Sequence, residues 1–102
     1  MASLSVEWTD TARFDLEEIF DFAVLSSTEF AFRLINSIVS REEQLKTHPH
    51  SGKIEPEISN DNVIYRSLIE GNFKIVYRAL DSKVFVHRVF DVRQNPNRMK
   101  IK

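Results

Sequence analysis

Cationic side chains concentrate in the second part of this chain, in numbers that could hold a phosphate group. Residues 63–102 carry 9 basic and 3 acidic side chains, whereas residues 1–62 carry 5 basic and 12 acidic ones. Cleavage of RNA by in-line attack needs a general base, a general acid and cations that stabilise the developing charge. The sequence offers one set of this kind, with aromatic side chains for a nucleobase: Glu57 (or Glu55) as base, Lys74 and Arg93 for the phosphate, His87 as a helper, and Tyr65 or Phe85 for stacking.

Each of these side chains could equally be an ordinary solvated loop or strand residue. The residues are therefore compatible with an enzyme and with a binding protein. A lone histidine such as His87 is more often a hydrogen-bonded surface residue than a catalyst. The chain has no cysteine, and His48 and His50 do not combine with His87 into a metal-ligand motif. We therefore expect no metal and no cofactor. No apolar run approaches the ~18 residues of a membrane span, and we expect a cytoplasmic protein.

The size of the chain predicts one domain spanning residues 1–102. Of its 102 residues 42% are hydrophobic, and a chain of this length buries one two-layer core. Its net charge of −1 hides a charge of −7 in residues 1–62 and +6 in residues 63–102. A basic surface attracts acidic protein or nucleic acid, unless the two halves neutralise one another across the fold.

The first part of the chain predicts a strand followed by two helices. An alternating run over residues 4–8 indicates the strand. Apolar residues at helical spacing then predict a helix that Thr9 or Asp10 caps and that ends near residues 26–27.

The second helix has its own start signal, Ser-Thr-Glu at residues 27–29. Its apolar periodicity continues to Leu45, and Pro49 stops it. Two helices joined by so short a turn pack as an antiparallel hairpin. We expect Trp8 and the phenylalanines of both helices to lie in the core.

A three-stranded meander is predicted after a polar loop at residues 52–62. Residues 63–70, 73–80 and 83–93 are rich in β-formers, and two-residue gaps separate them. The predicted fold class is α+β, with the order β-α-α-β-β-β and the helical hairpin packed on the meander.

Two-residue turns fix which strand residues share a face. Arg66 then lies opposite Tyr77, and Tyr77 opposite Val86. A three-residue loop at Asp81 would instead flip the last strand. The face that packs on the helices is predicted to hold Ile64, Leu68, Phe73, Ile75, Tyr77, Ala79, Val84, Val86, Phe90 and Val92, interrupted by Arg66 and Arg88. The opposite, basic face is predicted to hold Lys74, Arg78, Lys83, His87, Asp91 and Arg93 beside Tyr65, Ser67, Val76 and Phe85.

Four segments, in this order and spacing, carry a resemblance to a known family: VEWTDTARFDLEEIFDF, LKTHPHSGK, YRSLIEGNFKIVYRAL and VHRVFDVRQNP. Together they span nearly the whole chain, which resembles the RelE/ParE superfamily of toxins from bacterial type II toxin–antitoxin systems. The last segment most resembles the ParE branch, whose final strand commonly ends in an aromatic residue or histidine, then a variable residue and an arginine, as in residues 90–93.

The ParE resemblance implies a toxin of a plasmid-stabilisation module that inhibits DNA gyrase and arrests replication without chemistry of its own. It also implies a cognate antitoxin, whose acidic, amphipathic segment wraps the helical hairpin and the sheet and folds on binding. The expected target surface comprises Lys74, Arg78, Arg93, Gln94 and the basic tail that follows.

The RelE branch implies the alternative, an endoribonuclease that cuts messenger RNA on the ribosome. By position, Lys74 stands where those enzymes usually have an arginine before a Val-Tyr pair, Arg93 lies near their late arginine, and Glu57 lies near an acidic loop residue. The chain departs from that branch in lacking a terminal Tyr or His and an evident Lys pair, and its pI of about 6.3 is low for docking in ribosomal RNA. A third alternative is an inactive toxin fold that persists as a binding module.

Overall fold

The computed structural model describes residues 4–94 of the chain. The predicted basic tail therefore lies outside the described residues, apart from Gln94. None of the helices in this range is long and apolar enough to cross a membrane. Within residues 4–94 the chain forms five strands and three helices, in the order β1 (Ser5–Trp8), α1 (Asp10–Ala23), α2 (Thr28–Val39), α3 (Glu42–Thr47), β2 (Lys53–Ile54), β3 (Arg66–Glu70), β4 (Phe73–Leu80) and β5 (Lys83–Asp91).

The five strands of this range form one mixed sheet in the order β1-β5-β4-β3-β2. The predicted α+β meander is confirmed, with β3, β4 and β5 pairing in turn as antiparallel neighbours. β1 runs parallel to β5 at one edge of the sheet, and the three helices cross from β1 to β2 at the opposite edge. The residues of β2 were predicted to lie in a loop, which is wrong. A strand of two residues is too short to show a periodicity in the sequence.

The two predicted helix starts are confirmed by their capping bonds. The Thr9 hydroxyl accepts a hydrogen bond from the amide of Ala12 at 3.2 Å. The Ser27 hydroxyl accepts one from the amide of Phe30 at 2.9 Å. Both bonds satisfy amides that the first turn of a helix leaves unpaired.

The second helix does not continue to Leu45 as predicted. α2 ends at Val39, and α3 begins at Glu42. The Ser37 and Ser40 hydroxyls donate to the carbonyl oxygens three residues earlier, at 2.8 Å each, and such bonds compete with helical pairing. Because the chain changes direction there, Leu45 is still fully buried.

The hydrophobic core lies between the helices and one face of the sheet. It includes Ala12, Ile38 and Leu45 from the helical layer, and Trp8 packs against it as predicted. The expected burial of the helix phenylalanines is wrong for most of them. The exposed large apolar side chains of the helical hairpin, with their exposed fractions, are Phe14 (57%), Phe22 (74%), Leu25 (80%), Phe30 (41%), Phe32 (56%) and Val39 (36%).

The predicted pairings of Arg66 with Tyr77 and of Tyr77 with Val86 are confirmed. Beyond them a β-bulge at His87 shifts the register of β5 by one residue, because Val76 lies opposite Arg88. The prediction for the end of β5 is therefore wrong. Phe73 pairs with Asp91, Ile75 with Val89, and Lys74 with Phe90.

This shift exchanges the two faces of β5 after the bulge. Val89 replaces Arg88 in the core and is 1% exposed. Phe90 is buried on the face that Lys74 shares, and Val92 is exposed. Asp91 comes to the side of Phe73, where the helices pack.

Candidate functional site

A buried ion pair joins α1 to the bulge in β5. The Asp15 carboxylate, 3% exposed, accepts hydrogen bonds from Arg88 Nε at 2.9 Å and Nη2 at 3.1 Å. Its Oδ2 atom also accepts a hydrogen bond from the amide of Val89 at 2.9 Å. Arg88 was predicted to interrupt the face that packs on the helices, and this is the signal that could have found the pair. Asp15 was assigned to the polar positions of the first helix, although it lies three residues after Ala12 and four before Ile19, a spacing that puts it beside the apolar stripe. The pair holds the shifted part of β5 against the helix.

An apolar groove lies beside this ion pair, between the helical hairpin and the end of β5. It has a volume of 580 Å³, and Phe22, Phe30 and Leu34 form much of its helical wall. Phe73 and Val89 contribute from the sheet side. Leu34, Phe73 and Val89 also belong to the core or pack against it. Phe22 and Phe30, by contrast, are 74% and 41% exposed within residues 4–94. An exposed apolar surface of this kind indicates a partner-binding site.

Arg93 and Gln94, both predicted to bind the target, line this groove. Asp91 holds the Arg93 guanidinium, with Nη2 to Oδ2 at 2.7 Å and Nε to Oδ1 at 3.0 Å. The hydrogen bond from Arg93 lowers the pKa of Asp91, against the opposing effect of burial. Lys74 and Arg78 point from β4 to the other face of the sheet, so the four residues do not form one surface.

The outer sheet face, defined here as the face turned away from the helices, carries a second ion pair. Lys74 Nζ lies 2.9 Å from Oε2 of Glu55, which is 7% exposed, and the Ser67 hydroxyl donates to the same oxygen. Burial raises the pKa of Glu55, but the hydrogen bonds from Ser67 and Lys74 and the Lys74 charge outweigh it and lower the pKa. Glu55 is thus a carboxylate with a structural partner. Glu57 is exposed and makes no side-chain hydrogen bond or ion pair within the described range.

His87 lies at the bulge on the outer sheet face, among aromatic and cationic side chains. Its ring meets Tyr65 edge to face, with centroids 5.4 Å apart, and Phe85 at 6.4 Å. The Arg78 guanidinium lies over the Phe85 ring at 5.9 Å. Burial lowers the pKa of His87, and the Arg78 charge lowers it further, so both favour the neutral ring. The His87 Nε2 and Arg78 Nε atoms are buried and have no hydrogen-bond partner in residues 4–94.

The four residues of the nuclease hypothesis are therefore not brought together. Glu57 is exposed in its loop, Lys74 pairs with Glu55, His87 packs against Tyr65, and Arg93 lines the groove. Within the part of the chain that the structure describes, no cluster of His, Asp and Glu side chains could hold a metal ion.

Comparison with solved structures identifies the fold as that of RelE/ParE toxins. The chain superposes on a protein of the chromosomal ParDE toxin–antitoxin system from P. aeruginosa with a TM-score of 0.70 and 23% identity, covering 87% of this chain and 96% of the other. It superposes on a protein of the toxin–antitoxin complex RelBE2 from Mycobacterium tuberculosis with a TM-score of 0.62 and 22% identity, covering 89% and 93%. No curated protein sequence matches the chain.

The sequence profile of the ParE toxin of the type II toxin–antitoxin system parDE matches residues 6–96. The chain belongs to this family. It is the toxin of a type II toxin–antitoxin module, and its partner is an antitoxin. The resemblance found in the sequence is confirmed.

Proposed function

We propose that this toxin binds DNA gyrase in the cytoplasm and arrests replication without catalysing a reaction. The observation that carries the proposal is the separation of the nuclease candidates. Lys74 is already neutralised by Glu55, and Arg93 lies on the other side of the sheet, beside Asp91. A site for in-line cleavage needs its base, acid and cations around one phosphate. The match to the ParE family supports the same conclusion.

The proposed target contacts lie in two places. Arg78 and Lys74 contribute cations on the outer sheet face, where the Phe85 ring packs under the Arg78 guanidinium. Arg93 and Gln94 contribute from the groove, and the Arg93 side chain is 66% exposed. Arginine beside an aromatic ring is a common contact in protein interfaces.

The antitoxin is proposed to seat an amphipathic segment in the groove. Phe22 and Phe30 are exposed by 74% and 41% and offer apolar surface that the toxin alone leaves in water. Full burial of one phenylalanine contributes about 1.5–3 kcal/mol. A segment in this position covers Arg93 and Gln94, which provides a route to neutralisation.

Pulse labelling of DNA, RNA and protein synthesis after induction tests the target. We expect DNA synthesis to stop first, and the purified toxin to inhibit supercoiling by gyrase. Arg78→Ala and Arg93→Ala should each weaken inhibition about tenfold, the loss expected of one interface arginine. Arg33→Ala, an exposed arginine on α2, is the matched control and should leave inhibition unchanged.

Two other outcomes would replace the gyrase proposal. If translation stops first and transcripts are cut at ribosome-occupied codons, the toxin is an endoribonuclease, and Glu57→Gln with Lys74→Ala should abolish its toxicity. If the folded toxin arrests none of the three syntheses, it is a binding module that has lost its activity.

A further inference from the structure

Arg78 differs from the other basic side chains of the meander. The strands β3, β4 and β5 carry five lysine or arginine residues, and four of them contact a partner within residues 4–94. These contacts join Arg66 to the carbonyl oxygens of His50 and Gly52, Lys74 to Glu55, Lys83 to Glu7, and Arg88 to Asp15. The Arg78 side chain forms no hydrogen bond or ion pair with a residue of this range. It therefore leaves one positive charge on the outer sheet face without a counter-charge.

The neighbouring strand fixes the orientation of the Arg78 guanidinium. Phe85, which pairs with Arg78 across β4 and β5, lies under it with the ring centroid 5.9 Å from Cζ. Arg78 is half-buried, and its covered atom is Nε, so the terminal Nη groups are the part that a partner can reach. Two Nη groups in one plane match the two oxygens of a carboxylate. Because this plane is already held, binding a carboxylate would order little more of the side chain.

The side chains around Arg78 add no second free charge. Lys74 and Lys83 lie 2.9 and 3.6 Å from carboxylate oxygens of this chain. Burial and the Arg78 charge both lower the pKa of His87, which favours the neutral ring. The surface around Arg78 therefore offers a charge close to +1, which one carboxylate balances.

The same surface is a poor match for a nucleic-acid strand. Such a strand carries a charge on every phosphate and binds along rows of cations, with its bases stacked on aromatic rings. Here Phe85 already lies beneath Arg78 and Lys83, and Tyr65 meets His87 edge to face. The rings are thus engaged by side chains of this chain, and one free guanidinium does not form a row. A protein carboxylate fits both observations better.

We propose that the outer sheet face binds one aspartate or glutamate side chain on the surface of gyrase, and that the Arg78 guanidinium pairs with its carboxylate. The inference rests on the proposed gyrase function and names the chemical group that Arg78 contacts. The half-buried rings of Phe85 and His87 lie beside the guanidinium, so apolar residues next to that acid would pack against them. The target segment is therefore acidic at one position and apolar beside it.

The test uses two peptides that differ in one charge, acetyl-Leu-Glu-Leu-amide and its glutamine counterpart. Each is titrated into the isotope-labelled full chain, and NMR shifts of the backbone amides of β4 and β5 report binding. We expect the glutamate peptide to bind about fivefold more tightly at low salt, with the largest shifts around Arg78 and Phe85. Added salt should reduce this difference. The dinucleotide thymidylyl-thymidine has the same charge on a phosphate between two bases, and it should bind more weakly than the glutamate peptide.

Two variants locate the preference on Arg78. Arg78→Met keeps an unbranched side chain over Phe85 and removes the charge, so it should abolish the preference for glutamate. Arg33→Met removes the same charge from an exposed arginine on α2 and should retain the preference. The proposal is overturned if the unaltered chain binds both peptides equally or neither, if the dinucleotide binds more tightly than the glutamate peptide, or if Arg78→Met keeps the preference.

The supercoiling assay is a separate measurement, which distinguishes this inference from the proposed function. If gyrase is inhibited and the peptides show no preference, only the carboxylate site is wrong. If the preference is present and gyrase is not inhibited, the site stands and its assignment to gyrase falls with the gyrase proposal.

Discussion

Removal of the Asp15 carboxylate should strongly destabilise the fold. In Asp15→Ala the Arg88 guanidinium, 18% exposed, loses its two hydrogen bonds to the carboxylate, and the amide of Val89 loses its acceptor. Breaking a buried ion pair by removing one partner costs about 3–5 kcal/mol. We expect about 3 kcal/mol here, because water reaches part of Arg88. For a domain of this size that loss lowers the melting temperature by about 12 °C or more.

Urea unfolding followed by Trp8 fluorescence measures this loss, since Trp8 is the single tryptophan and packs against the core. Glu17→Ala, an exposed acid on the same helix, is the control and should change stability by no more than about 0.5 kcal/mol. Adding Arg88→Met to Asp15→Ala should recover part of the loss, because the double variant no longer buries a guanidinium that has lost the Asp15 carboxylate. A loss below about 1 kcal/mol for Asp15→Ala, or no recovery in the double variant, would refute the reasoning.

Three further predictions concern single side chains of the sheet and its turns. Glu55→Gln should cost about 1–2 kcal/mol at pH 7, and since the native pKa of Glu55 is lowered, this contribution is present above about pH 4.5 and is lost as the pH falls through the native pKa. Urea unfolding at pH 7 and at about pH 3 checks this, and Glu57→Gln should leave stability unchanged at pH 7. Because the pKa of His87 is lowered in the folded chain, the unfolded chain binds this proton at a higher pH, and stability should fall as the pH drops below about 6.5. His87→Phe should make that fall smaller, which urea unfolding at about pH 7.5 and about pH 5.5 would show. Gly52→Ala should cost about 1–3 kcal/mol, because its Cβ would lie 2.7 Å from a backbone oxygen. The Cβ of Gly71→Ala would meet nothing within 4 Å, so this variant should cost only the ~1–2 kcal/mol of its left-handed φ, and thermal unfolding of both variants tests the difference.

The sequence predicted the parts of the fold that local signals determine. Thr9 and Ser27 cap their helices because each hydroxyl needs only the next few residues to form its bond. β4 has the predicted bounds because the two-residue turns on either side mark them, with Gly71 and Asp81 both at positive φ.

The residues whose positions were predicted wrongly depend on contacts between parts of the chain that are far apart in sequence. Asp15 holds the bulge at His87 by binding Arg88, which lies 73 residues after Asp15 in the chain. No local pattern in β5 shows this contact, so the periodicity placed Arg93 beside Lys74. The helix phenylalanines were expected in the core because apolar periodicity marks a face without showing whether the toxin or a partner covers it.

The bulge also limits how an antitoxin in the groove can neutralise the toxin. Because it separates Arg93 from Lys74, a segment in the groove covers Arg93 and Gln94 and leaves Lys74 and Arg78 accessible on the outer sheet face. Neutralisation by such a segment therefore requires that Arg93 or Gln94 contacts the target, or that the antitoxin extends around the sheet to Arg78. If Arg93→Ala with Gln94→Ala leaves gyrase inhibition intact and Arg78→Ala removes it, the first route is excluded, and an antitoxin shortened to its groove segment should bind the toxin without neutralising it.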